Sequence, residues 1–186
     1  MYSKNEWDQL KKVIVGSADD AMLPNSIGVR TVNYANLTYK EYTDLRFGRY
    51  PQQVIDEANE DLDILADTLE HLGVTVHRPK AINYQELGGM YGYCPRDRLL
   101  IYGDTIVDPA MMYPCRDMEY QCYLDILEDA KRIIKMPRDK GMTLDAANVL
   151  RLNDRMLMLE SASGNRAAYQ WLCHYFPDVE IELCNF

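Results

Sequence analysis

No stretch of the 186-residue chain is apolar over anything near the roughly 18 residues that a bilayer-spanning helix requires. The opening residues, Met1-Tyr2-Ser3-Lys4-Asn5-Glu6, have no apolar run of the kind found in a secretory leader. A soluble cytoplasmic protein is therefore expected. Cysteine is present but unorganised: Cys94, Cys115, Cys122, Cys173 and Cys184 form no C-x-x-C pair and are odd in number. Neither a zinc site nor a closed disulfide framework is expected, and the thiols read as free and mostly buried. Positive charge is in deficit, with 20 Lys and Arg against 29 Asp and Glu, a net charge of -9. That balance excludes general binding to nucleic acid or an anionic membrane, either of which needs a basic surface to displace counterions.

What remains is enough for one good-sized domain, since 47% of the residues are hydrophobic. The first unit, about 5–80, begins with the β-branched run Lys12-Val13-Ile14-Val15-Gly16. A long polar and aromatic stretch follows from about Ser17 to Tyr50. Its Tyr34, Tyr39, Tyr42 and Tyr50 suit either a lid or a cover packed on a core, and packing is the expectation. Pro51 suits a helix start; Val54, Ile55, Ala58, Leu62, Leu65, Leu69 and Leu72 recur at helical spacing before Gly73, and Val74–Pro79 reads as the returning strand.

The second unit, about 95–137, places a hairpin at Arg98–Tyr102 and Thr105–Asp108 around a tight Gly103-Asp104 turn. A helix from about Arg116 to Lys131, with Tyr120, Leu124, Leu127 and Ala130 on one face, leads to a strand at Arg132–Met136. The third unit, about 143–186, repeats the plan. Asn148–Leu152 and Arg155–Leu159 flank an Asn153-Asp154 turn, Ser163-Gly164-Asn165 opens a helix, and Val179–Leu183 is the last strand. A strand-strand-helix-strand unit met repeatedly stacks around or along an axis.

Pro95-Arg96-Asp97 opens one unit and Leu144-Asp145-Ala146-Ala147-Asn148 opens the next. Carboxylates at matching places in successive units converge on one pocket in a ring-like arrangement, and two such groups are comfortable together only with a cation between them. A guanidinium fits, because a carboxylate accepts two of its N–H donors through charge-assisted bonds. The competing reading is that each Asp only caps a turn.

In order and spacing, Asn5-Glu6-Trp7-Asp8, Val13–Gly16, Gly73–Pro79, Pro95-Arg96-Asp97, Arg116–Tyr120 and Asp145-Ala146-Ala147 resemble the N-terminal portion of the arginine:glycine amidinotransferase family, whose fold is a five-unit α/β propeller of the pentein class. The resemblance implies one amidinotransferase-like domain over 1–186, an incomplete propeller of about three units, and transfer of an amidino group from arginine to an amine through a cysteine adduct, with no cofactor. It implies that Asp97 grips the guanidinium and that Asp145 is a catalytic and binding carboxylate. Asn148 stands where the family has a second aspartate. Arg116 matches a family arginine near Glu119, a pair read as structural before functional.

The family's His-x-Asp segment and its Gly-rich cysteine segment are absent from these residues. His71, His77 and His174 have another context, and Cys94 and Cys184 have no local histidine to activate them. The expectation is a truncated or split amidinotransferase that binds arginine or another guanidino compound, with a second chain supplying His and Cys. The alternative is a non-catalytic guanidino-binding module that assembles with copies of itself.

Overall fold

The computed structural model describes residues 1–25, 46–128 and 130–185, so Tyr34, Tyr39 and Tyr42 lie outside the described residues. The chain is α/β. Its elements begin with β1 (Lys12–Ile14), β2 (Met22–Leu23), β3 (Gly48–Arg49), α1 (Gln52–His71) and β4 (Thr75–His77). There follow α2 (Tyr84–Leu87), α3 (Pro95–Arg98), β5 (Leu100–Tyr102) and β6 (Thr105–Asp108). A 3₁₀ helix over Pro114–Tyr123 runs into α4 (Leu124–Leu127) and then β7 (Arg132–Lys135). A 3₁₀ turn at Ala146–Asn148 precedes β8 (Val149–Leu152), β9 (Arg155–Leu159), α5 (Arg166–Tyr175) and β10 (Glu180–Cys184).

Two three-stranded sheets share one plan. β5 and β6 pair antiparallel and β7 joins β6 in parallel; β8 and β9 pair antiparallel and β10 joins β9 in parallel. Both hairpins turn in two residues, with positive φ at the first of them: Gly103 at 59° and Asn153 at 67°. Glycine meets no steric penalty there, and asparagine is among the residues that tolerate it best. β1 and β4 form a separate parallel pair, and β2 and β3 a short antiparallel one.

All four residues of β6 are buried. Side chains alternate along a strand, so Ile106 enters a cluster with Leu99, Tyr120, Tyr123 and Leu127. Val107 enters the larger core with Leu100, Val149, Met156, Met158 and Leu172. This second sheet thus has apolar packing on both faces.

Several expected elements differ in detail. The Arg116–Lys131 helix is largely 3₁₀ and ends at Leu127. Three residues per turn stack positions i and i+3, which aligns Arg116, Glu119 and Cys122, all buried, whereas Leu124 of the expected face is 48% exposed. The first hairpin strand starts at Leu100 because Pro95 opens the helical turn α3. In α1 only Ile55 and Ala66 are fully buried, and Val54, Leu65 and Leu72 are exposed. The short helix α2, not among the expected elements, carries a local signal: Asn83 accepts a hydrogen bond from the Glu86 amide at 3.2 Å, and Gly88 closes the helix at φ 68°. Tyr50 is half-buried and packs with Phe47 against Leu23 and Met90, as a cover on a small cluster.

Candidate functional site

Asp97 stands in α3 just ahead of β5, and Asp145 stands just ahead of the 3₁₀ turn that enters β8. The fold brings them to one group, and that group belongs to the chain itself. Arg116 Nη2 donates to Asp97 Oδ2 at 3.2 Å, and Nη1 lies 3.6 Å from Asp145 Oδ2. A third carboxylate completes the set: Arg116 Nε and Nη2 donate to Glu119 at 2.9–3.1 Å, and the Tyr91 ring lies 5.1 Å from the guanidinium carbon.

Burial and charge act in opposition here. Glu119, 1% exposed, is pushed up to about 7 by burial, against the hydrogen bonds and charge of Arg116. Arg116 is desolvated, yet its bonds to Glu119 hold it protonated well beyond its ordinary range. Burial raises Asp145; the Ala147 amide, which donates to Oδ1 at 3.0 Å, opposes that rise, and the Asp97 charge adds to it. Three carboxylates surround the one Arg116 guanidinium, with the Arg96 guanidinium near Asp97 and Asp145 as a second positive group.

A cleft of about 300 Å³ opens beside this cluster, walled by Tyr91, Tyr113, Arg116, Asp145, Ser161 and Ser163. Asp97 is not on its wall; it reaches the site through Arg116. Asn148 is not on the wall but donates to Ser163 Oγ at 3.0 Å and Ser161 Oγ at 3.3 Å, and so shapes the loop that lines the cleft.

No histidine of the chain lines this cleft. His71 contacts the Asp67 carbonyl near the end of α1, His77 sits in β4, and His174 in α5 stands edge-on to Tyr175. Cys94 adjoins the cluster, but burial and then the Asp97 charge push its thiol up to about 11, which disfavours the nucleophilic thiolate. Cys184 ends β10 as a half-buried free thiol.

Two supports of the site have no motif of their own in the sequence. Arg96 donates to the carbonyls of Ala146 at 2.6 Å and Val149 at 2.5 Å, so the middle residue of Pro-Arg-Asp ties one aspartate's segment to the other's. Arg98, wholly buried, bonds Asp108 at 2.5 Å and the Pro109 carbonyl at 3.0 Å; Arg138 bridges Asp108 at 2.8 Å and Asp117 at 3.2 Å. Because Arg98 follows Asp97 and Asp117 precedes Met118 in the Arg116 helix, this network lies directly behind the site. The only signal in the sequence was the adjacency of these charges to the site motifs.

The relatives share this frame. Inosamine-phosphate amidinotransferase 1 of Streptomyces griseus is 35% identical over 200 residues, covering 90% of this chain. The solved structure of inosamine-phosphate amidinotransferase from that organism superposes with a TM-score of 0.88 at 32% identity over 98% of this chain. This chain belongs to the amidinotransferase family. Mitochondrial glycine amidinotransferase of Xenopus tropicalis, an amidinotransferase of a different acceptor by name, is 33% identical over 137 residues, 68% of this chain and 32% of that protein. No family model matches the chain. As an amidinotransferase homologue it spans 57% of the Streptomyces griseus relative's sequence and 62% of the solved chain. Among the described residues, no helix is long and apolar enough to cross a membrane.

Proposed function

We propose that this amidinotransferase homologue binds the guanidinium of arginine or a related compound beside Asp145 and Asp97, and that it supplies the positioning half of an amidino-transfer site. The observation that carries the reading is the convergence of carboxylates that lead into two successive sheets on one guanidinium, next to an open cleft. Arg116 holds the aspartates in place when no ligand is bound, and its Glu119 partner keeps it from leaving. A ligand guanidinium takes the remaining acceptor sites of Asp145 through charge-assisted bonds, with Asp97 acting on it through Arg116, and positioning of this kind is a major part of catalysis. Asp145 is the carboxylate we assign to the chemistry, with Asp97 and Arg116 as binding residues.

Amidino transfer needs in addition a thiolate to attack the guanidinium carbon and an acid to protonate the departing amine. None of the placed histidines or cysteines suits either task, so both groups come from polypeptide outside residues 1–186. In this reading the three units, about 5–80, 95–137 and 143–186, are consecutive parts of an incomplete five-unit propeller in the cytoplasm.

Calorimetry with arginine tests the binding half. Asp145→Ala should weaken arginine by about tenfold or more, the loss expected for one hydrogen bond to a charged group, and Asp97→Ala should weaken it through the freed Arg116. Equal heats from all three proteins would sink the assignment. Ornithine release from arginine and glycine should require the complementing polypeptide.

A further inference from the structure

The residues ahead of β1 cross two other sheets before they reach their own. Ser3 pairs with Gly103 at the turn of the β5-β6 hairpin, Asn5 pairs with Leu152 in β8, and the Asn5 side chain donates to Asn153 Oδ1 at 2.6 Å. Asn5 Oδ1 accepts from the amides of Trp7 at 3.1 Å and Asp8 at 2.8 Å, a local turn that fixes the backbone of Glu6. Glu6 then meets two arginines from different units. Arg151 of β8 donates from Nε to Glu6 Oε1 at 2.8 Å and from Nη2 to Oε2 at 2.6 Å, and Arg96 Nη2 lies 3.5 Å from Oε1. Arg151 also donates to the Ile101 carbonyl of β5 at 3.0 Å, so the Glu6 carboxylate closes a seam between the second and third sheets. The bonds from Arg151 hold the Glu6 carboxyl below its ordinary range, which keeps it charged at neutral pH.

Arg96 links this seam to the site. Its donors go to the carbonyls of Ala146 and Val149, on either side of the 3₁₀ turn that follows Asp145, and Asp97 is its neighbour in the chain. Glu6, Asp97 and Asp145 attract the Arg96 guanidinium, and Arg151 repels it. With Glu6 in place these forces leave it seated on its two carbonyls. Without Glu6, the repulsion by Arg151 and the pull of both aspartates act unopposed, and a second guanidinium of the chain's own turns toward the carboxylate that a ligand needs.

We propose that Glu6 is a positioning residue for the guanidinium site: its carboxylate pins Arg96 to the Ala146 and Val149 carbonyls, which keeps Asp145 open to a ligand and fixes its place relative to Asp97. Glu6 itself touches no ligand. The role deepens the guanidino-binding reading above and rests on it for the ligand; the pinning of Arg96 does not.

The test is Glu6→Gln in the full chain, an isosteric change at a side chain 33% exposed, which removes the charge and keeps the fold. Calorimetry should show arginine weakened by about threefold or more. In an Arg96→Met background the same change should alter the affinity no further, because residues that act through one group are not additive. A residue that only supported the fold would add its loss to that of Arg96→Met. Carboxyl NMR titration reads the pinning without any ligand. The Arg96 charge already favours the ionised form of Asp145, so its approach in Glu6→Gln should move the Asp145 midpoint down by about half a pH unit or more, whereas Asp8→Asn, which removes a charge from the same segment, should leave it in place. Unchanged arginine affinity in Glu6→Gln, additive losses in the double variant, or an unmoved Asp145 midpoint would each overturn the proposal. Were the parent chain to bind no arginine, the guanidino-binding reading would fall, and the Asp145 midpoint would still decide whether Glu6 pins Arg96.

Discussion

The β5-β6-β7 sheet and the β1-β4 pair have the same central-strand sequence character, yet they sit in opposite surroundings. β6 is buried along its length, between two neighbours and two apolar clusters, with an ion network at its end. Among the described residues β1 has one neighbour, a half-buried face, and a covering helix that leaves Val54, Leu65 and Leu72 in solvent. A β-branched run thus specifies a strand in both places, but burial depends on what the rest of the sheet supplies. Stability should be concentrated accordingly in the second and third sheets.

The sharpest way to break that contrast is the buried network. Arg98→Met leaves Asp108 with only the half-exposed Arg138 and should destabilise the protein by about 3–5 kcal/mol, the cost of breaking a buried pair. Arg155→Met at the exposed start of β9, where Glu180 lies 3.0 Å away, should cost less than about 1 kcal/mol. Urea denaturation compares the two directly, and similar midpoints would show that the Arg98 cluster contributes nothing special.

Core truncation sharpens the same comparison. Leu172→Ala, at a position with no solvent exposure in α5, should cost about 2–5 kcal/mol through lost transfer energy and the cavity left behind. Leu65→Ala in α1, 48% exposed, should fall within about 0.5 kcal/mol of the parent. If Leu65→Ala proves as costly as Leu172→Ala, the exposed stripe of α1 is covered in solution.

How much of this was legible depends on whether the signal was local. The Gly103-Asp104 and Asn153-Asp154 turns, with β-branched and Leu-rich runs on either side, announce the hairpins because turn chemistry acts within four residues. Helix α1 is legible from Pro51 to Gly73, but its buried side is not. Of the seven apolar positions only Ile55 is fully buried, and Ala66, outside that series, is buried with it, a choice made by packing from distant chain. Asp97 and Asp145 were found as a pair because each opens a repeated unit. That Arg116 joins them has no local pattern, because it reaches them from a 3₁₀ helix 19 residues past Asp97.

Gly16 joins the two regions, and a substitution there should have an intermediate effect. A Cβ at this position would meet the Tyr93 backbone at 2.2–2.4 Å, and backbone cannot turn aside as a side chain does. Gly16→Ala should therefore destabilise by about 1–3 kcal/mol, the usual range for overpacking. It should also weaken arginine binding, since Tyr93 leads to Cys94 and Asp97. An unchanged affinity would separate the end of β1 from the site.

The smallest effect concerns Cys94, the thiol nearest the carboxylate cluster. Alkylating reagents attack the thiolate alone, and its population sets the rate. With the thiol pushed up to about 11 by burial and by Asp97, the thiolate fraction at pH 8 is about a hundredfold below that of an ordinary cysteine. Iodoacetamide modification of Cys94, followed by peptide mass spectrometry, should be correspondingly slow at pH 8 and should accelerate as pH rises toward 11. Asp97→Asn removes the second cause while leaving burial in place, so it should speed the reaction modestly. Fast labelling of Cys94 at neutral pH in the parent protein would mean that the site already activates a thiol, and the nucleophile of the proposed transfer would then have to be sought within this chain.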